Sequence, residues 1–157
     1  LAAAVALAAA RKGRRLALQL LNYPALDTDF SSASYVENAD APVLSAAEMK
    51  HFWSLYLGGN PAVSDERARP LIADLPKGLA PAHVVVAQYD PLREDGLSYA
   101  RKLNAAGIPA TTFHAGGLTH GFLRALDVSA AVAAIQLANC DRLAAALSAT
   151  PETSAQG

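Results

Sequence analysis

The sequence is poor in cysteine and has no surplus of charge of either sign. Cys140 is the single cysteine among 157 residues, which excludes an internal disulfide and a metal site built from cysteines alone. The net charge is −1, so the chain lacks the basic surplus that attracts nucleic acid or an anionic membrane surface. We therefore expect a small-molecule partner, and neither nucleic acid nor membrane as a partner.

The sequence also lacks the basic-then-apolar order of a secretion signal. Its apolar start, residues 1–10, is too short to cross a bilayer, and the basic cluster at residues 11–15 follows that run instead of preceding it. The missing leader and the single cysteine predict a cytoplasmic location. Because residue 1 is a leucine and already has the pattern of a helix interior, we expect the sequence to begin inside a longer protein.

Apolar residues are abundant and arranged in short blocks. They make up 52% of the chain, ample for the core of one domain. We predict that residues 1–150 form the C-terminal portion of a single domain and that residues 151–157 are a disordered tail. Short apolar or β-branched runs predict three strands. They lie at residues 16–23, 82–89 and 110–114.

Helices are predicted between and around these strands. The helical patterns cover residues 1–12, 92–106 and 129–148. Alternation of helix and strand predicts an α/β fold with about three parallel strands, flanked by helices and joined by right-handed crossovers. We also expect the first strand to present an unpaired edge, which would make the isolated chain prone to aggregation.

A long excursion, residues 27–61, separates the first two strands. Its first part is rich in Asp, Ser, Asn and Pro, which predicts a surface segment. A helix capped by Ser45 follows, with side chains that recur at helical spacing: Met49, Phe52, Trp53 and Tyr56. The spacing alone favours a stripe that faces the core, and a lid or the wall of an acyl pocket is the second interpretation.

Two polar side chains follow the predicted second and third strands. Asp90 comes directly after residues 82–89, and His120 lies in the glycine-rich turn after residues 110–114. Carboxyl ends of neighbouring parallel strands meet at one sheet edge, so these side chains are expected within hydrogen-bonding range. An imidazole that takes a proton from a serine hydroxyl needs a carboxylate to hold its other nitrogen in one tautomer. The pair therefore predicts an acid and a base.

Other interpretations stand beside these roles. Asp90 has the position of a helix cap, and a lone His120 is compatible with a core histidine. The other histidines have no recognisable spacing of zinc ligands, and we interpret them as structural. They are His51, His83 and His114. Glu94 and Asp95, at the start of a helix, are interpreted as charges that favour the helix dipole.

Two segments, residues 88–96 and 117–122, resemble the acid and histidine motifs of hormone-sensitive-lipase-like esterases. Asp90 in the first segment and His120 in the second lie 30 residues apart, as in that family. Three further stretches are similar to the family: residues 21–27, 37–40 and 52–56. The resemblance implies an α/β-hydrolase fold, hydrolysis of carboxylic esters without cofactor or metal, Asp90 as triad acid and His120 as general base. It also implies a substrate pocket lined by aromatic side chains: Tyr23, Tyr35, Phe52, Trp53 and Phe122.

The sequence departs from the family in two respects. It contains neither a Gly-x-Ser-x-Gly nucleophile motif nor a His-Gly-Gly-Gly oxyanion segment. The resemblance implies that the serine lies a few residues before Leu1. Ala115 replaces the aromatic residue that is usual before the glycine turn. A non-catalytic binding module on the same scaffold is the alternative function, and a homodimer remains open as the assembly state.

Overall fold

Three strands form one parallel sheet in the computed structural model, which describes residues 1–60 and 64–149. They are β1 (Gln19–Asn22), β2 (Ala82–Tyr89) and β3 (Ala110–Thr119), with β2 in the centre. All three carboxyl ends therefore lie at one edge of the sheet. The predicted α/β class, with about three parallel strands flanked by helices, is confirmed. The predicted tail, residues 151–157, and the last residue of the excursion lie outside the described residues.

Five α-helices surround this sheet within the described residues. They are α1 (Ala2–Arg11), α2 (Ala33–Glu37), α3 (Ala46–Tyr56), α4 (Arg93–Ala105) and α5 (Ala130–Ala149). Two 3₁₀ turns, Pro70–Ile72 and Phe122–Ala125, complete the regular structure of that part of the chain. The helices predicted from periodicity match α1, α4 and α5 to within two residues at each end. The short α2 was not predicted, since it lies in the polar part of the excursion.

Both faces of β2 are buried, which explains its continuous apolar sequence. Val84 and Val86 face a core formed with α1 and α4, whereas Val85 and Ala87 face a second core that includes residues of α5. Helix α4 lies close against the first face, because a Cβ added at Gly96 would come 2.7 Å from Val86 Cγ1. Glycine at this position lets the helix approach the strand.

Helix α3 is closed at its start by a capping box. Ser45 Oγ accepts the backbone N–H of Glu48, and the Glu48 carboxylate accepts that of Ser45. Met49 and Trp53 are buried in a third apolar cluster that reaches Leu92. Phe52 and Tyr56 are exposed. The expected core-facing stripe is therefore confirmed for part of the helix and wrong for Phe52 and Tyr56, which lie on its solvent side.

Strand β3 is longer than predicted because its glycine pair lies inside the ladder. Ala87 pairs with Ala115 and Tyr89 with Thr119, so β3 takes four residue steps where β2 takes two. This irregularity is a bulge in β3. The prediction that the strand ends at His114 was wrong, since pairing resumes beyond the bulge.

Helix α5 packs through its first half. Val132 is buried and Ile135 is partly buried in the second core, but Leu143 and Leu147 are exposed. The predicted apolar face is thus confirmed at its start and wrong at its end. By length and composition alone α5 could cross a membrane, a property that it shares with core helices. The expectation that the protein has no membrane partner stays a prediction.

Within the described residues, β1 pairs with β2 alone. Its other edge is unpaired in that part of the chain, as expected from the sequence. The aggregation that an unpaired edge favours remains a prediction.

Candidate active site

The carboxylate of Asp90 and the imidazole of His120 form a hydrogen-bonded pair. Asp90 Oδ2 lies 2.8 Å from His120 Nδ1. The acid is fully buried at the end of β2, whereas the side chain of His120 is 21% exposed beyond the end of β3. This arrangement holds one ring nitrogen against a buried carboxylate and leaves part of the ring accessible from outside.

The second oxygen of Asp90 binds the start of the following helix. Leu92 N–H donates to Asp90 Oδ1 at 2.9 Å, and Arg93 N–H donates to the Asp90 backbone oxygen at 3.1 Å. The interpretation of Asp90 as a helix cap is therefore wrong, because the N-cap of α4 is Leu92 and this position makes no side-chain capping hydrogen bond. The Asp90 side chain instead forms an Asx turn with Leu92 N–H just before the helix, and this turn fixes the orientation in which the other oxygen meets His120.

The bulge in β3 is closed by the side chain of Gln88. Gly117 N–H donates to Gln88 Oε1 at 2.7 Å, at the point where the ladder between β2 and β3 is interrupted. Gly117 and Gly121, on either side of His120, both have positive φ angles, which glycine adopts at little cost. Gln88 thus ties the histidine turn to the strand that carries the acid. The sequence analysis did not identify this role.

Tyr23 packs directly against His120. Their ring centroids lie 4.6 Å apart, and the Tyr23 ring also meets Phe122 edge-to-face at 5.4 Å. Burial raises the pKa of the Tyr23 phenol. Phe122 is itself buried in the second core. Of these two predicted substrate-binding residues, Tyr23 contacts the histidine and Phe122 supports Tyr23.

A cavity of about 440 Å³ opens beside this pair of rings. Its wall includes His120, Leu1, Met49 and the segment of residues 23–26. A second cavity of about 220 Å³ has Leu1, Ala25 and Met49 in common with the first. The remaining predicted substrate-binding residues, Phe52 and Trp53, line this second cavity. The shared residues place the two cavities side by side.

The excursion is fastened to the acid segment by buried polar side chains. Ser34 Oγ donates to the Pro91 backbone oxygen at 2.6 Å and accepts the Glu94 N–H at 3.1 Å. Asn38 Nδ2 donates to the Asp90 backbone oxygen at 3.4 Å. The predicted pocket residue Tyr35 is buried in the third cluster. Helix α2 therefore supports the loop that carries the acid, a role that composition did not reveal.

Asp95 differs from its neighbour Glu94 although both begin α4. Glu94 pairs with Arg101 at 2.9 Å near the surface, in accord with the interpretation of a charge at a helix start. Asp95 is 4% exposed and accepts backbone N–H groups from the segment after β1. Burial raises the pKa of Asp95 to about 7. For Asp95 the dipole interpretation is incomplete, since its carboxylate is part of the core.

The other histidines lie away from this pair. His83 is buried on β2, where its Nδ1 lies 2.7 Å from Thr111 Oγ1 and burial lowers its pKa. His51 and His114 are exposed. Across residues 1–60 and 64–149, no group of three or more His, Cys, Asp or Glu side chains is arranged to hold a metal ion.

The sequence profile of the alpha/beta hydrolase fold family matches residues 1–124. The chain belongs to this family. Carboxylesterase NlhH of Mycobacterium tuberculosis is 40% identical over 128 residues, a match that covers 78% of this chain and 40% of that protein. Esterase LipI of the same organism is 40% identical over 116 residues, covering 71% of this chain and 35% of its own length. The resemblance to an esterase family of this fold is thereby confirmed.

A solved structure gives the same result for the fold. A thermostable esterase from Pseudomonas putida superposes with a TM-score of 0.81 at 39% identity, covering 90% of this chain and 46% of that chain. The α/β-hydrolase chain therefore spans less than half the length of these relatives.

Proposed function

We propose that the protein containing this chain hydrolyses carboxylic esters through a Ser-His-Asp triad, with Asp90 as the acid and His120 as the base. The 2.8 Å contact between Asp90 Oδ2 and His120 Nδ1, beside a cavity, carries the proposal. Relatives that are named esterases and carboxylesterases support an ester as the substrate. The mechanism requires neither a cofactor nor a metal ion.

In this mechanism Asp90 keeps the proton of His120 on Nδ1. Nε2 then accepts the proton of the serine hydroxyl as its oxygen attacks the ester carbonyl carbon. The imidazolium, stabilised by Asp90, donates that proton to the leaving alcohol, and an acyl-enzyme remains. Water attacks the acyl carbon in a second round, in which His120 again takes and returns a proton.

The serine of this proposal belongs to a part of the protein outside the present sequence. Leu1 lines the same cavity as His120. A nucleophile a few residues before Leu1 would therefore enter the site from the side on which α1 begins. This placement agrees with the chain order of α/β-hydrolases, in which the nucleophile precedes the acid and the histidine.

The two adjacent cavities suit a small ester. We assign the cavity beside Tyr23 and His120 to the reacting end of the substrate. The second cavity, with Phe52 and Trp53 in its wall, provides an apolar surface for the rest of the substrate. Phe122 contributes to the site indirectly, because its ring packs against the Tyr23 ring. Cavities of several hundred Å³ are typical of small-molecule sites.

Hydrolysis of short-chain p-nitrophenyl esters by the full-length protein tests the proposal. His120→Ala should lower kcat by about 10⁴-fold or more, because loss of the base removes proton transfer from both steps. His114→Ala is the matched control, since this exposed histidine of β3 should leave turnover unchanged. Wild-type turnover in His120→Ala would overturn the mechanism. Tight binding of an ester without any turnover by the wild-type protein would instead favour the non-catalytic binding module.

A further inference from the structure

Asp95 is a buried carboxylate to which the mechanism above gives no task. It lies in the first turn of α4, and both of its described hydrogen bonds go to one oxygen. Leu26 N–H donates to Asp95 Oδ2 at 2.8 Å, and Asp27 N–H donates to the same atom at 3.1 Å. A carboxylate that accepts buried backbone N–H groups replaces the partners that these groups would otherwise find in water.

The segment that Asp95 holds is a wall of the cavity beside His120. Residues 23–26 all line that cavity. Tyr23, at the start of the segment, packs its ring 4.6 Å from that of His120. The position of the Tyr23 ring therefore depends on the path that the backbone takes between β1 and Leu26.

The backbone at Tyr23 has an unusual conformation. Its φ is +37°, a region that non-glycine residues rarely adopt. Such a conformation persists where the surroundings fix the chain on both sides. Before the turn, Tyr23 N–H donates to the Val85 oxygen at 2.7 Å. On the other side of Tyr23, Asp95 accepts the backbone N–H groups of Leu26 and Asp27.

Asp95 itself has a fixed position relative to the acid. The following residue, Gly96, lies so close to β2 that an added Cβ would come 2.7 Å from Val86 Cγ1. Asp90 directly follows β2, so α4 and the acid share one rigid support. On the far side of the segment, Arg69 Nε donates to Asp27 Oδ1 at 2.6 Å. The segment is thus held between α4 and the chain around Arg69.

We propose that Asp95 is a positioning residue that fixes the segment of residues 23–27, so that Tyr23 stays packed against His120 and shapes the cavity. The proposal rests on the proposed role of His120 as the base. Asp95 acts through Tyr23 and does not itself touch the reacting atoms.

Hydrogen bonding, and not charge, is the property of Asp95 that this role requires. Burial raises its pKa and outweighs the hydrogen bonds from the Leu26 and Asp27 N–H groups, which lower it; the neighbouring carboxylates of Asp27 and Asp90 act in the same direction as burial. A protonated carboxyl group still offers an acceptor oxygen to the two N–H groups. Asparagine has the same shape and keeps one acceptor oxygen, so the substitution Asp95→Asn should preserve the position of the segment.

Steady-state kinetics of four variants of the full-length protein test the proposal. Asp95→Ala should lower kcat/KM by about 10- to 100-fold, as expected when a site is displaced by about 1 Å. Asp95→Asn should stay within about threefold of wild type, since it keeps the acceptor. Glu94→Ala removes the neighbouring carboxylate and should have no effect on kcat/KM. Leu103→Ala, in the core of the same helix, should lower the melting temperature without changing kcat or KM per folded molecule.

A spectroscopic measurement separates this proposal from the proposed function. NMR cross-peaks between the ring protons of Tyr23 and His120 should be present in wild type and Asp95→Asn and lost in Asp95→Ala. Retained cross-peaks with wild-type kcat and KM in Asp95→Ala would overturn the proposal. Turnover in His120→Ala would overturn the mechanism while leaving the cross-peak result valid. If Asp95→Ala does not fold, Asp95→Ser, whose shorter side chain falls short of the segment, takes its place in both measurements.

A double-mutant cycle tests the route through Tyr23. In a Tyr23→Ala background, the change at Asp95 should have little further effect on kcat/KM, because the ring that it positions is absent. Fully additive losses would show that Asp95 does not act through Tyr23 and would overturn the proposal.

Discussion

The two segments that carry the proposed acid and base are held in different ways. Asp90 is fully buried, and its loop is fastened by Ser34 and Asn38 and by the hydrogen bond from Leu92 N–H to its own side chain. The turn of His120 is exposed at Gly116 and Gly117 and half-buried at His120, and it is tied back by the side chain of Gln88 and by Asp90 itself. The acid segment is therefore inside the core, whereas the histidine turn runs from the surface to the edge of the core. Substitutions in the two segments should differ in their balance between stability and turnover.

Asp90→Asn should give the largest effect of the changes that test this comparison. Its Oδ1 still accepts the Leu92 N–H, so stability should change little. Its amide N–H₂ would face His120 Nδ1 and place the imidazole proton on Nε2, which then cannot accept a proton from serine. We expect kcat to fall by about 10⁴-fold, as found when the equivalent tautomer is lost in a serine-protease triad.

Kinetics with a short-chain ester and thermal unfolding of Asp90→Asn check both expectations. If the free energy of unfolding fell enough to leave most of the protein unfolded, and kcat per folded molecule were unchanged, the acid would mainly have a structural role.

Ser34→Ala should have its main effect on the stability of the acid segment. Removal of the hydroxyl leaves the buried Pro91 oxygen and Glu94 N–H without that partner. We expect the free energy of unfolding to fall by about 1–3 kcal/mol, with little change in kcat per folded molecule. Urea unfolding measures the free energy of unfolding. Steady-state kinetics, normalised by active-site titration, measure kcat per folded molecule.

Ser31→Ala is the control in the same excursion, because Ser31 is exposed and bonds to nearby Asp29. It should stay within about 0.5 kcal/mol of wild type. Equal destabilisation by the two changes would contradict the special position of Ser34.

Gln88→Met, at the histidine turn, should reduce kcat/KM more than stability, the reverse of the effect expected for Ser34→Ala. Methionine has a similar length but no strong acceptor for the Gly117 N–H. Because this N–H can turn to water, we expect a loss of less than about 1 kcal/mol in stability and of about three- to tenfold in kcat/KM. Gln88→Glu keeps an acceptor oxygen and should retain most of kcat/KM. Wild-type kinetics in Gln88→Met would show that the bulge holds the histidine without this hydrogen bond.

The fold and the proposed pair were predictable because their signals are local. The β-branched run of β2, the Asp90-Pro91 step and the glycine-flanked His120 are each readable within a few residues. Parallel strands then bring the two strand ends together without further information.

The supporting residues were not predictable in this way. Ser34, Gln88 and Asp95 bind partners between 29 and 69 residues away in sequence, so their roles depend on packing that no local pattern records. Likewise the exposed end of α5 has the same apolar periodicity as its buried start. The periodicity of apolar residues predicts which face of a helix is apolar, but whether that face is buried depends on which other elements pack against it.

The two additional residues in the bulge of β3 determine how far His120 stands from the sheet. A strand advances about 3.3 Å per residue, so in an uninterrupted ladder residue 120 would lie about 7 Å further along β3, beyond the reach of Asp90. The glycine pair takes up this surplus length and returns the imidazole to the level of the acid. The length of chain held in the bulge thus sets the distance between the acid and the base, and straightening it into regular strand would separate the two groups without altering either one.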